Sequence, residues 1–425
     1  MGRMKKRQQV LAFLVVLAII TFLDRISLSV AAARMEADLR IDTAHWGWIT
    51  GAFILSYALF EVPTGEMGDR LGARRILTRV VVWWTAFTAF TGFATGFYSL
   101  LATRFLFGVG EAGAYPNISA ALARWFPATA RAKAQGMIWG ASRLGGALAP
   151  LIVVPLQRWL GWRTTFMLLG VVGAVWAACW FAWYRDKPSE QPGITDEELA
   201  EIPPAFSVAQ RAKTNWQQLF RSKQMQLLVV TYFFYAWGPW FYFSWYPLYL
   251  VKTGHFSEKE MGVFSALPYI LGTVANLIGG PVFDRLAARR GIRVAGRLIG
   301  TASLLGAAGL MLAMVQIHQK ALLVIVSAAA LGVNDFMVPA VWAVAMNMGG
   351  ERAGTVTGAM NSAGNIGGFV CSVAAGYLVQ ATGTYNAPVI MVACVLLIAG
   401  MLFTKLDGSA HIFSEEPQSM SFLVK

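Results

Sequence analysis

Apolar stretches of similar length follow one another along the whole chain, separated by short polar segments. About 20 residues, at a rise of about 1.5 Å per residue, cross the hydrocarbon core of a bilayer as an α-helix. Of the 425 residues, 56% are hydrophobic and only 13% are charged. We therefore predict an all-α membrane protein with twelve transmembrane helices, near residues 9–33, 45–64, 77–95, 99–122, 134–156, 163–184, 225–251, 261–283, 297–317, 320–346, 354–380 and 386–405.

The polar segments carry an uneven charge. The formal net charge is +13, and 25 of the 35 lysines and arginines lie at the chain ends, in the central segment and in alternate loops. The opposite loops hold seven, and three lie well inside the predicted helices. Because cytoplasmic loops are enriched in basic residues, we place both termini and the central segment in the cytoplasm, in a bacterial-type inner membrane. The basic surface is expected to contact the anionic headgroups of the lipid bilayer, not nucleic acid.

The chain contains an internal repeat. "GEMGDRLGARR" at 65–75 and "GPVFDRLAARR" at 280–290 share seven residues, and each follows the second predicted helix of its half. Such repetition is typical of transporters built from two similar halves. A polar central segment separates the halves, and its Thr195 begins a capping box that predicts a short helix. The predicted divisions are an N-terminal six-helix bundle at 1–184, a cytoplasmic linker at 185–224, a C-terminal six-helix bundle at 225–405 and a cytoplasmic tail at 406–425.

Each copy of the repeat predicts a tight cytoplasmic turn in which a carboxylate faces a cluster of arginines. An ordinary positively charged loop would explain the arginines but not the repeated aspartates. We therefore predict that the two loops control opening of the cytoplasmic side. The residues assigned to this gating are Asp69, Arg70, Arg74, Asp284 and Arg285.

Charged residues also lie well inside the predicted helices. Each costs roughly 3 kcal/mol to insert, so these residues must be paired or hydrated. Asp24 and Arg25 point about 100° apart on a helix, so the arginine can face a cavity while the aspartate faces a neighbouring helix. Arg104 and Glu111 share a face about 10.5 Å apart in rise, with Gly108 leaving that face open, so Arg104 either approaches Glu111 or binds an anion. The buried set is Asp24, Arg25, Arg104, Glu111, Arg143 and Asp335.

The sequence resembles the major facilitator superfamily over nearly the whole chain. The pattern G-x-x-x-D-R-x-G-x-R-R at 65–75 is that superfamily's signature loop. Within the superfamily, "FLDRISLSVA" at 22–31, "RFLFGVGEAGAYPN" at 104–117 and "FSWYPLYL" at 243–250 resemble the anion:cation symporters. That group includes galactonate, glucarate, hexuronate and phthalate permeases, sialin and the vesicular glutamate transporters. The resemblance implies two six-helix bundles around a cavity that opens alternately to each side, with helices 1, 4, 7 and 10 lining it.

The resemblance also implies roles for the buried charges. Asp24 and Glu111 match the proton-carrying carboxylates of the sugar-acid permeases, Arg25 their substrate-binding arginine and Arg104 a partner in coupling. Burial raises the pKa of a carboxylate while a nearby arginine lowers it, and a guanidinium binds a carboxylate through two parallel hydrogen bonds. The alternative is a set of fixed ion pairs between helices.

Arg143 and Asp335 depart from the pattern of the sugar-acid permeases. Two interpretations remain open beside a static structural role. Arg143 binds a second anionic or hydroxyl group of the substrate, or Arg143 and Asp335 pair across the two halves as a gate.

Aromatic and amide side chains complete the predicted cavity, although ordinary packing is the alternative for each. Helix 7 has 12 aromatic residues between 232 and 250, with glycine and proline that interrupt it. Phenols and amides suit a hydroxyl-rich substrate, and an indole can stack on the C–H face of a sugar chain. The resemblance to the sugar-acid permeases assigns Tyr57, Trp342 and Asn361 to substrate binding, because these residues match the pattern of that group. From helix 7 we add Tyr235 and Trp240, which are expected to line or gate the cavity.

We predict proton-coupled uptake of an organic anion by alternating access, with a sugar acid such as a hexonate, hexuronate or aldarate as substrate and sodium as the alternative coupling ion. The alternatives are another mono- or dicarboxylate, lactate-like or phthalate-like, and efflux by proton antiport. No segment fits GxxxxGK[ST], which argues against ATP coupling. The four histidines lie at helix ends or in loops, which argues against a metal site or an enzyme. We expect no cofactor and a functional monomer.

Overall fold

A computed structural model describes residues 5–126, 128–202, 219, 221–349, 353–410 and 412. The described residues form helices and no strand. The α-helices are α1 (Lys6–Leu39), α2 (Thr43–Leu71), α3 (Ala73–Thr91), α4 (Phe97–Glu111), α5 (Ala114–Trp125), α6 (Ala128–Trp183), α7 (Asp196–Glu201), α8 (Lys223–Tyr235), α9 (Trp237–Ser244), α10 (Tyr246–Lys252), α11 (Glu258–Phe264), α12 (Ala266–Arg290), α13 (Ile292–Gln316), α14 (Lys320–Phe336), α15 (Val338–Gly349), α16 (Ala353–Thr382) and α17 (Asn386–Phe403).

These helices make twelve membrane crossings, as predicted. Within the described residues, seven helical segments are each long and apolar enough to cross a membrane. One of them, in α6, contains two crossings, because Gly161 adopts a left-handed φ of 76° and reverses the chain there. The other four crossings are α2, α3, α4 with α5, and α8 to α10. Glycine, proline and charged residues explain why these four fall short of a continuous apolar helix.

Breaks in the helices lie near the centre of the molecule. α4 ends at Glu111 and α5 begins at Ala114, so Glu111 occupies the end of a half-helix. The seventh predicted transmembrane helix, at 225–251, is interrupted as predicted. It consists of three separate helices, α8, α9 and α10, which meet at Ala236 and Trp245. Discontinuous helices of this kind place side chains and backbone groups at a central site in transporters.

The helices form two halves that meet along several surfaces. In the first half, α1 and α3 pack on α6, and α2 packs on α4. In the second half, α12 packs on α14, and α13 on α17. Between the halves, α2 lies along α16 and α12 along α6. The central site lies between these two inter-half surfaces.

One face of the molecule carries the first described residues and the linker helix α7; we call it the linker face and the opposite one the distal face. The predicted short helix is present as α7, but only half of the predicted capping box forms: Thr195 Oγ1 accepts a hydrogen bond from the Glu198 backbone N–H at 3.2 Å. Glu198 in turn accepts the backbone N–H groups of Lys6 and Arg7, at 3.0 and 2.8 Å. The linker thus supplies acceptors for the unpaired donors that begin α1.

The repeated loops form tight turns on the linker face. Gly72, with φ of 88°, joins α2 to α3, and Gly291, with φ of 81°, joins α12 to α13. Both conformations favour glycine because a side chain is strained there. Gly291 lies one helical turn further along its copy of the motif than Gly72 lies along the first copy. Helix α12 therefore continues past the motif position at which α2 ends.

The halves are in close contact at the distal face. Gly47 of α2 packs so tightly on α16 that an added Cβ would lie 2.7 Å from the Ser372 carbonyl oxygen. Arg34 of α1 forms a bidentate ion pair with Glu258 of α11, across the halves. Gln157 of α6 joins this pair, donating to Glu258 at 2.8 Å and accepting from Arg34 at 3.1 Å. The structure is therefore closed at the distal face.

Candidate functional site

Asp24 and Arg25 leave α1 in different directions. The indole Nε1 of Trp84 donates to Asp24 Oδ2 at 3.2 Å, and the Thr88 hydroxyl lies 3.5 Å from the same oxygen. Both partners belong to α3, so Asp24 faces the neighbouring helix within its own half. Its other oxygen, Oδ1, is buried without a hydrogen-bond partner.

Arg25 faces the centre of the molecule, where it pairs with Glu111. The distance from Arg25 Nη2 to Glu111 Oε1 is 2.9 Å, and the glutamate side chain is fully buried. Glu111 Oε2 has no hydrogen-bond partner. The end of α4 at this residue brings the carboxylate to α1.

Within the described residues Arg104 forms no ion pair with Glu111, although both lie on one face of α4. The expectation of an open face at Gly108 was wrong, because α2 fills it. A Cβ on Gly108 would lie 2.5 Å from the Phe53 carbonyl oxygen, so only glycine allows the two helices to meet there. With its path along α4 blocked, the Arg104 guanidinium packs over the Phe107 ring, at 4.0 Å from the ring centre.

The Arg104 side chain is nearly fully buried, and its Nε and Nη1 atoms have no hydrogen-bond partner. Unpaired donors in a buried guanidinium are unfavourable. Arg104 and Arg25 border one cavity of about 20 Å³, which has room for about one water molecule. A larger anion fits only if the surrounding rings move. The cavity is lined by Arg25, Leu28, Ser29, Thr50, Phe53, Arg104, Trp240, Phe243 and Ser244.

Aromatic rings from both halves surround the Arg25 guanidinium. Its central carbon lies 4.8 Å from the ring centre of Phe22, 5.1 Å from Tyr57 and 5.9 Å from Trp240. Such contacts stabilise a cation through the electrons of the ring face. The structure therefore brings together Arg25, Tyr57 and Trp240, three of the residues assigned to substrate binding from the sequence.

Arg143 and Asp335 form an ion pair across the two halves. Arg143 Nη2 of α6 lies 2.8 Å from Asp335 Oδ2 of α14, and the aspartate side chain is fully buried. Asp335 packs against the backbone of α12, where a Cβ on Gly272 would lie 2.7 Å from its Oδ2 atom. The pairing is the contact expected for a gate, and 16% of the Arg143 side chain remains exposed.

The other assigned residues of the second half lie in two groups. Tyr235 is buried on α8 with its ring centre 4.9 Å from that of Tyr232, and Trp342 Nε1 donates to the Tyr232 hydroxyl at 3.3 Å. Asn361 instead contacts the first half, donating to both oxygens of Glu61 at 3.2 and 3.3 Å.

Glu61 is a half-buried acid that sequence reasoning missed. Asn365, one turn along α16, also donates to it, at 3.4 Å. Within the described residues, no arginine or lysine forms an ion pair with Glu61. Two features of the sequence could have identified it: the residue lies inside the predicted helix 45–64, and it follows Tyr57 by four positions, which places both on one face.

The predicted gating residues have different surroundings. The side chains of Asp69 and Arg70 lie outside the described part of the chain. Arg74 donates to the Phe181 carbonyl oxygen at 2.7 Å. In the second repeat Asp284 and Arg285 are exposed, and in the described structure neither side chain forms a hydrogen bond or ion pair. The carboxylate predicted to face arginines is thus without such a partner in this repeat.

Asp186, at the start of the linker, contacts the first repeat instead. Its Oδ1 atom lies 2.5 Å from Arg124 Nη1 and accepts a hydrogen bond from the Arg74 backbone N–H at 3.3 Å. That N–H belongs to the first turn of α3, where the helix dipole favours a negative charge. The sequence alone gave no sign of this contact, because Asp186 lies more than 100 residues from Arg74.

Comparison with known proteins agrees with the fold. The sequence profile of the Major Facilitator Superfamily matches residues 14–372. The chain belongs to this superfamily. It is 32% identical over 404 residues to a probable sulfoacetate transporter, SauU, of Cupriavidus necator, covering 94% of this chain and 93% of that protein. It is 30% identical over 409 residues to a hexuronate transporter of Bacillus subtilis, covering 93% and 94%.

A solved structure supports the same fold. That structure is of another protein, a bacterial homologue of the human lysosomal transporter Spinster, in an inward-facing and unoccupied conformation. Its TM-score against this chain is 0.78 at 19% identity, over 95% of this chain and 98% of the other. The resemblance to the superfamily that the sequence motifs indicated is therefore confirmed, as is the predicted fold. The chain is a multi-pass membrane protein of this superfamily.

Proposed function

We propose that the protein is a proton-coupled symporter that carries small organic anions, sugar acids in particular, into the cell by alternating access. The observation that carries the proposal is the cavity bordered by Arg25 and Arg104. Arg25 is already paired with Glu111, whereas Arg104 keeps two buried nitrogen atoms without a partner. An anion that enters this cavity supplies the acceptors that Arg104 lacks.

Competition for Arg25 gives a mechanism for coupling. While Glu111 is charged it occupies Arg25, and displacing it would leave a buried carboxylate without a partner, which costs about 3–5 kcal/mol. Once Glu111 takes up a proton, this cost falls and Arg25 can bind the carboxylate of the substrate. Asp24 serves as the second proton-carrying carboxylate, since its contacts are neutral groups of α3.

The remaining site residues position the substrate. Tyr57 and Trp240 surround Arg25 with aromatic faces, and Tyr235, Trp342 and Asn361 offer hydrogen bonds on the side of the second half. The names of the relatives support an organic anion, because sulfoacetate and hexuronate are both acids. Phenol, indole and amide groups suit the hydroxyl groups of a sugar acid.

The gate and the orientation follow from the same proposal. The linker face lies in the cytoplasm, in agreement with its basic residues, so the closed distal face corresponds to an inward-facing state. The loops containing Asp69, Arg70, Arg74, Asp284 and Arg285 then close the cytoplasmic side in the other state. We take the protein to act as a monomer in a bacterial inner membrane, without a cofactor and without enzymatic activity.

Uptake into proteoliposomes tests the proposal. Wild-type protein should accumulate labelled galactonate or glucuronate when an inward proton gradient is applied, with lactate and succinate as tests for other carboxylates. Glu111→Gln, which cannot exchange a proton, should lose gradient-driven accumulation while keeping exchange of substrate across the membrane. Glu197→Gln, at an exposed position of α7, is the matched control. Accumulation by Glu111→Gln at the wild-type level would refute proton coupling through this residue.

A further inference from the structure

The acids and arginines at the centre are unequal in their pairing. Among the described residues in the middle of the spanning helices, Glu111 pairs with Arg25 and Asp335 pairs with Arg143. In the described part of the chain, Arg104 forms no ion pair with an acid, and Asp24 and Glu61 form none with a base. The first ion pair lies within one half of the protein. The second joins the halves, so it must change whenever the halves move apart at that level.

Asp335 holds Arg143 by only one of its nitrogen atoms. Arg143 Nη2 lies 2.8 Å from Asp335 Oδ2, whereas a guanidinium has five N–H donors. Asp335 is fully buried, but 16% of the Arg143 side chain is exposed. Arg143 is therefore the accessible partner, and its remaining donors can bind a second acceptor.

One aromatic side chain connects Arg143 to the cavity of Arg25 and Arg104. The Phe243 ring centre lies 5.4 Å from the Arg143 guanidinium, and Phe243 also lines the cavity. Phe22, which contacts Arg25, lies with its ring centre 5.8 Å from that of Phe243. A pair of apolar rings thus separates two cationic positions. A molecule with one anionic group at each end and a short chain between them matches this arrangement.

We propose that Arg143 is a second anion-binding position and that the carrier prefers dianions, such as dicarboxylates or carboxylate–sulfonates, to monoanions. Asp335 occupies this position when no substrate is present, and the second anionic group of the substrate replaces it. The inference rests on the proposed function, because it names the class of organic anion that the site selects. It also assigns a purpose to the contact between the two halves, of which only the arginine is accessible.

Transport of glucarate and gluconate in proteoliposomes tests the preference. The two anions share a hydroxylated six-carbon chain but carry two carboxylates and one, respectively, and sulfoacetate provides a second dianion. We expect wild type to have the lower KM for glucarate. Arg143→Gln should raise the KM for both dianions by roughly tenfold to a hundredfold, as expected for the loss of a charged hydrogen-bond donor, and leave the KM for gluconate within about threefold.

Asp335→Asn should change the KM for dianions in the opposite direction. It removes the internal competitor for Arg143, so the KM for dianions should fall. If the ion pair were purely structural, both variants would instead show impaired transport of every anion. Arg158→Gln, at an exposed position of the same helix, controls for the loss of an arginine. Equal changes in the KM for glucarate and for gluconate in Arg143→Gln would overturn the inference. If Arg143→Gln does not fold, an unchanged or raised KM for dianions in Asp335→Asn would overturn it instead. Wild type that carries none of these anions would instead refute the proposed function itself.

Discussion

The ion pair of Arg34 and Glu258 allows a test of how the distal face is held closed. Each carboxylate oxygen of Glu258 contacts Arg34, and Gln157 adds a further hydrogen bond at 2.8 Å. Glu258→Gln removes the charge but keeps the size of the side chain. Because the contact joins the halves only when the distal face is closed, its loss should favour the open form.

The size of the effect follows from burial. The two side chains remain 38% and 28% exposed, and exposed ion pairs contribute at most about 1 kcal/mol. Bidentate geometry and the link to Gln157 place this pair at the upper end of that range. A change of about 1 kcal/mol corresponds to about a fivefold shift in the ratio of open to closed molecules.

Thiol labelling measures that ratio. Ala44 is buried at the distal end of α2, where its Cα would lie 3.2 Å from a Cβ added to Gly376 of α16. In a background without the native cysteines, Ala44→Cys should react with a maleimide only when the halves separate there. We expect Glu258→Gln to raise the labelling rate about fivefold.

A matched control comes from an ion pair that stays within one half. Lys320 and Glu260 are 3.2 Å apart and similarly exposed, so Lys320→Gln should leave the labelling rate unchanged. The double variant Arg34→Gln with Glu258→Gln should label no faster than either single variant, since both remove the same contact. A rate that stays at the wild-type level in Glu258→Gln would refute the reasoning.

Three further predictions concern other contacts between segments. Glu61→Gln keeps an acceptor for Asn361 but removes the charge, so we expect normal folding by size-exclusion chromatography and a changed pH dependence of uptake; an unchanged pH profile would exclude Glu61 from proton transfer. Gly47→Val forces α2 away from the Ser372 carbonyl, so Ala44→Cys labelling should increase severalfold, whereas Gly51→Ala, which meets only side chains, should have a smaller effect. Glu198→Gln weakens the acceptor at the start of α1, at a cost of about 1 kcal/mol, which should appear as faster proteolysis of the linker, and an unchanged cleavage rate would contradict the role of this contact.

The fold was largely accessible from the sequence because a membrane imposes a simple rule. Each crossing needs about 20 apolar residues, so the number of helices and the repeat could be read directly. Local signals also worked where they have a local cause. The N-cap at Thr195 and the breaks around Pro239 depend only on neighbouring residues.

The pairing of the buried charges was less accessible. Arg104 and Glu111 share a face of one helix, yet α2 packs on Gly108 between them, and the sequence does not show which helix packs there. The contact of Arg34 with Glu258 spans 224 residues. Both residues lie at the ends of predicted helices, where single charges are common and carry no signal of a partner.

The pattern of pairing has a consequence for the affinity of an empty carrier. Arg25 and Arg143 each have an internal carboxylate, so their charges remain balanced when no substrate is bound. A buried charge left without its partner costs about 3–5 kcal/mol, which is the cost that these carboxylates avoid. Arg104 has no such partner, and an anion that binds there recovers hydrogen bonds that the empty protein lacks. Under the proposed function we therefore expect affinity for any anion to arise mainly at Arg104, whereas Arg25 and Arg143, through competition with Glu111 and Asp335, would determine which protonation state and which anion the site accepts.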